Sequence, residues 1–131
     1  MNLADAARRW ASVWQRAWNE RDVESIVALY ADDAIFSSEP FREPFAGKSG
    51  VRRYVAGAFS EEESALAHFS EPVVGEGRAA VAWWTTLVEN GMPITLAGTS
   101  LLRFNDDGLV VEQWDAWNQL AGHRQAPEWW R

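Results

Sequence analysis

The chain has 131 residues, 47% of them hydrophobic and 24% charged, with a formal net charge of −7 and no cysteine. Such a length and balance fit one globular domain with one core, here residues 1–131. The negative charge opposes nucleic acid, the missing cysteines remove disulfide and thiolate chemistry, and no apolar run or leader pattern points to a membrane, so a cytoplasmic protein is expected.

Ala7, Trp10, Trp14, Ala17 and Trp18 recur at helical spacing, which predicts an amphipathic helix over 5–19. Asp22 is an N-cap for a second helix with Val23, Ile26, Val27 and Tyr30 on its buried stripe. A short strand over 34–38 follows. The stretch 39–48 holds two prolines, two phenylalanines and a glycine and reads as an ordered loop pinned by its aromatics, the alternatives for Arg42 and Glu43 being a lid salt bridge or a hold for a polar ligand group. A third helix is expected from Ser49, with Val51, Tyr54, Val55, Ala58 and Phe59 inside. Glu61, Glu62 and Glu63 read as a solvated helix end without a functional role.

Beyond this point the period changes to two. Segments 66–75, 78–89, 93–104 and 109–118 are separated by Glu76-Gly77, Asn90-Gly91 and Asn105–Gly108, all hairpin-turn chemistry. Helices followed by a four-stranded antiparallel meander define an α+β class. On the last strand Gln113, Asp115 and Trp117 share one face, and Glu112, Trp114 and Ala116 the other.

The stretch WQRAWNERDVESIVALYADDA (14–34), with GKSGVRRY, GRAAVAWW and AGTSLLRFNDDGLVVEQWD, resembles the nuclear-transport-factor-2-like superfamily, in its SnoaL-like and ketosteroid-isomerase-related branches. The resemblance covers nearly the whole chain. It implies a cone of three helices and a bent sheet around a cavity, and a homodimer through the outer sheet face. It places Gln113, Asp115, Trp117, Trp83, Thr85, Leu87, Glu89, Leu96, Gly98, Ser100 and Leu102 inside, with Trp14, Trp18 and Tyr30 walling the helix side. Residues 119–131, including Trp129 and Trp130, form a tail that caps the cavity or crosses the dimer interface.

The function implied is binding of a hydrophobic small molecule, either held or transformed without a cofactor by an isomerase, cyclase or hydrolase reaction. Asp115 is the candidate general base, since a desolvated carboxylate has a raised pKa; the alternative is a structural acceptor bonded to an indole or a loop amide. His68 is a candidate acid–base partner of Asp115 or of Glu89, or else a wall residue beside Phe69. Ser38, Ser100 and Tyr30 would orient the ligand. The isomerase set itself is missing, because its tyrosine and two acid positions correspond to Trp14, Ser38 and Ser100. An epoxide-hydrolase relay would need a cavity arginine, and Arg42, Arg78 and Arg103 all have surface explanations. His68 and His123 are isolated, so no metal site is expected.

Overall fold

The computed structural model describes residues 1–130; Arg131, the end of the tail named above, lies outside the described residues. Three helices precede most of the sheet: α1 (Leu3–Glu20), α2 (Val23–Val27) and α3 (Gly47–Glu61). The strands are β1 (Tyr30–Ser37), β2 (Phe45–Ala46), β3 (Glu62–Phe69), β4 (Val73–Gly75), β5 (Arg78–Glu89), β6 (Met92–Phe104) and β7 (Val110–Ala121).

Helix α1 starts where the Asn2 side chain accepts from the Asp5 amide at 2.8 Å, and it ends at Arg21 in the left-handed region. Its tryptophans are buried because every third or fourth position meets the sheet. Asp22 caps α2 as expected, accepting from the Ser25 amide at 3.1 Å. Tyr30 departs from expectation. It opens β1 rather than closing the helix, and its ring is fully buried in the core. The third helix begins at Gly47, two residues before Ser49, with no side-chain cap.

The sheet runs β2-β1-β7-β6-β5-β3, with β4 also on β5, and it is curved and unclosed. It is mixed rather than wholly antiparallel, because β1 joins β7 in parallel. The segment 66–75 divides into β3 and β4, both antiparallel to β5. Tight turns at Glu76-Gly77 and Asn90-Gly91 place both central residues at positive φ, the geometry that matches strand twist in two-residue hairpins.

At Gly98, opposite Trp117, β7 comes so close that an added Cβ would lie 2.5 Å from the Ala116 carbonyl oxygen and from the Trp117 Cβ. Only glycine permits that approach. Helix α1 lies against β3 and β5, and α3 against β1. The space between helices and sheet is filled by one buried cluster that includes Trp10, Tyr30, Phe36, Val51, Val81, Leu102 and Val110.

Candidate functional site

Between α1, α3 and the concave sheet face lies a cavity of about 520 Å³. Strand alternation delivers Trp83 and Glu89 from β5, Leu96 and Ser100 from β6, and Gln113, Asp115 and Trp117 from β7 to its wall. Helix α1 adds Trp10, Trp14 and Trp18, and the far end is lined by Glu39, Arg42, Phe45, Arg53 and Tyr54. Indole rings run in a contiguous line, with centroids 6.0 Å apart for Trp10–Trp14, 5.9 Å for Trp14–Trp18 and 5.8 Å for Trp18–Trp83.

Around Asp115 the hydrogen bonds have a fixed direction. An indole N–H can only donate. Trp10 and Trp14 both donate to the Tyr30 hydroxyl, at 3.3 and 3.1 Å, so the hydroxyl proton goes to Gln113 Oε1. That orients the Gln113 amide nitrogen toward Asp115, at 3.0 Å from Oδ1 and 3.3 Å from Oδ2. From the other side Trp83 donates to Ser100 Oγ at 3.1 Å, leaving the Ser100 proton for Asp115 Oδ1 at 2.6 Å. Asp115 is therefore surrounded by donors, with Oδ2 the less satisfied oxygen.

Burial nonetheless wins over these bonds. It pushes the Asp115 pKa up to about 7, against the lowering by Ser100 and Gln113. The Tyr30 phenol is raised as well, mainly by burial, so it stays a neutral hydroxyl. A carboxyl held as an acceptor, yet close to half protonated at neutral pH, can take a proton and return it.

Several expected site residues lie elsewhere. His68 is exposed on the outer face, paired with Trp84, because the inward positions of β3 are Ala67 and Phe69. It meets neither Asp115 nor Glu89. Tyr30 stands behind the wall and touches the cavity lining through its hydroxyl, which is bonded to Trp10, Trp14 and Gln113. Ser38 is fully buried outside the lining, with an unpartnered hydroxyl, and its carbonyl accepts from Trp117 Nε1 at 2.7 Å. Arg42 pairs with Glu39 at 3.6 Å rather than with Glu43, and its guanidinium lies over Phe45 and Tyr54.

Among the described residues the tail contributes nothing to the cavity lining. It runs over the outer face, where Trp84 Nε1 donates to the Arg124 carbonyl at 2.8 Å and Trp130 meets Trp84 edge to face. The residue missed in the sequence is Glu62. It is 7% exposed and lines the cavity, where Trp18 Nε1 donates to its Oε1 at 2.9 Å.

A family model described as a SnoaL-like domain matches residues 8–113, so the chain belongs to the SnoaL-like domain family. Solved structures with the same fold include RV0760c from Mycobacterium tuberculosis, 17% identical, covering 93% of this chain and 99% of that one with a TM-score of 0.78. An NTF2-like protein of unknown function from Exiguobacterium sp. 255-15 is also 17% identical, covering 86% and 98%, with a TM-score of 0.73. A third is SalBIII, described as an epoxide hydrolase/cyclase-like enzyme in pyran ring formation in the polyether salinomycin; it is 16% identical and covers 88% and 95%, with a TM-score of 0.75. No curated protein matches the sequence. Among the described residues no helix is long and apolar enough to cross a membrane.

Proposed function

We propose that residues 1–131 act as one cytoplasmic unit that binds a hydrophobic, ring-containing molecule and moves a proton on it, with Asp115 as general base. The observation that carries this reading is a buried carboxyl on the cavity wall, bonded to side chains and not to the backbone, with its pKa near neutrality. Proton abstraction starts from such a group set against a dry, oriented substrate. The family membership and the role of SalBIII in pyran ring formation favour an isomerase or cyclase reaction.

In deuterium oxide, a panel of cyclic ketones and polyketide-like compounds should show protein-dependent hydrogen–deuterium exchange by NMR. Asp115→Asn should slow it about a hundred-fold or more while leaving affinity within a few-fold. Exchange unaffected by this substitution would sink the general-base role.

One observation favours the second reading, binding without chemistry. With His68 outside, Asp115 has no histidine or cation beside it among the described residues to pass the proton on. Under that reading Asp115→Asn would change affinity, and no compound would exchange.

The same proposal includes a homodimer through the outer sheet face. Ile35, Leu66, Trp114 and Leu120 are exposed apolar residues on that side, and such area is what subunit contacts bury. Native mass spectrometry should give a dimer mass, and Trp114→Glu a monomer.

A further inference from the structure

The second acid of the cavity deepens the binding reading above and rests on it. Glu62 opens β3 directly after α3, and a one-residue irregularity between Glu62 and Ser64 turns it to the concave side. Charged side chains this deeply buried are normally paired. Among the described residues Glu62 makes no ion pair, and the Trp18 indole is its only hydrogen-bond partner. An indole has a single N–H, so it serves Oε1, and Oε2 is left without a protein donor and open to the cavity.

The surroundings make this costlier. Glu89 faces Glu62 across the β3–β5 ladder and Glu61 precedes it. The nearby Arg21 guanidinium is engaged by the Phe59 carbonyl at 3.1 Å. Arg42 and Arg53 lie over Phe45 on the far side of the cavity. Burial, followed by smaller contributions from Glu89 and Glu61, raises the Glu62 pKa against the lowering by Trp18 and Arg21.

We propose that Glu62 is a ligand-recognition residue whose Oε2 accepts a hydrogen bond from an O–H or N–H group of the bound molecule. An ionised carboxylate only accepts, so the group it selects is a donor. Glu62 stands on β3, separated from β7 and Asp115 by β5 and β6. The ligand is then a ring compound carrying a hydroxyl or amine where its ring system reaches the β3 wall.

Isothermal titration calorimetry with three probes tests this: 2-naphthol, 2-methoxynaphthalene and 2-naphthylmethylamine. One added hydrogen bond should make naphthol or the amine bind at least about five-fold tighter than the methyl ether. Glu62→Gln, which keeps an acceptor for Trp18, should abolish that preference, whereas Asp115→Asn should retain it. A stronger preference for the amine assigns a cationic donor, and one for naphthol a neutral hydroxyl. Equal binding of ether and donor probes, or a preference that survives Glu62→Gln, overturns the assignment while leaving the cavity reading intact. Failure of all three to bind overturns both. Carbon-13 NMR of the Glu62 carboxyl in the unmodified protein gives an independent reading. Naphthol or the amine should shift its resonance and the ether should not; no shift with any bound probe overturns the assignment.

Discussion

The floor of the cavity and its rim solve the same problem of holding polar groups in opposite ways. At the floor, Tyr30, Gln113, Ser100 and Asp115 are buried, and each has partners whose donor or acceptor role is forced by three indoles. At the rim, Arg42 and Glu39 form an ion pair with about half of each side chain in solvent. Low dielectric makes the floor strong and costly to disturb, while water screens the rim. Glu62 combines the two conditions: it is buried like the floor, yet it has a single bond.

Breaking the floor should have the largest effect. Tyr30→Phe removes one hydroxyl and leaves two indole N–H groups and the Gln113 carbonyl without their partner, so denaturant unfolding should show a loss of about 3 kcal/mol. A loss below about 1 kcal/mol would mean that the network is not the constraint described.

Next in size is the pH response of Asp115. Its folded pKa of about 7 exceeds the ordinary 3.8, so the folded state holds more protons between these values. Stability should therefore fall as pH rises from 4 to 7 and level off above. Relative to Asp115→Asn, the loss should be on the order of 3 kcal/mol. Urea melts of both proteins at pH 4.5 and 8 measure it, and parallel changes would remove Asp115 as the source. Glu62, also raised, contributes in the same direction.

Outside the cavity the expected effects shrink. Trp84→Ala should cost about 1 kcal/mol through the lost Trp130 contact and the Arg124 hydrogen bond, and should increase proteolysis of the tail. Arg42→Ala should change stability by less than about 0.5 kcal/mol, because its ion pair is solvated. A larger loss would assign the rim a structural role through the Phe45 and Tyr54 faces.

Strand parity made the floor legible before any coordinates. A period of two groups Gln113 with Asp115 on one face of β7, and the family resemblance turns that face, together with Trp83 and Ser100, toward the cavity that they line. His68 lies on the opposite side because parity alone does not say which face of β3 turns inward, and one position separates it from the buried Ala67. Glu62 was hidden twice, first by two glutamate neighbours and then by an irregularity that breaks the alternation leading back from Phe69. Tyr30 fits both a helical stripe and a strand start, and its role depends on Gln113, 83 residues away. No local pattern carries that pairing.

Gly98 limits how relatives of this chain can differ. Positions facing the cavity from α3, such as Ala58, can change size and reshape the space from the helical side. Position 98 has no such freedom, since even one carbon would collide with main-chain atoms of the strand that carries the acid. Ligand choice can therefore drift through the helices while the reactive end keeps its depth. Diversification of this scaffold should then leave its signature on α3 and the loop before it, with β6 and β7 as the conserved mould.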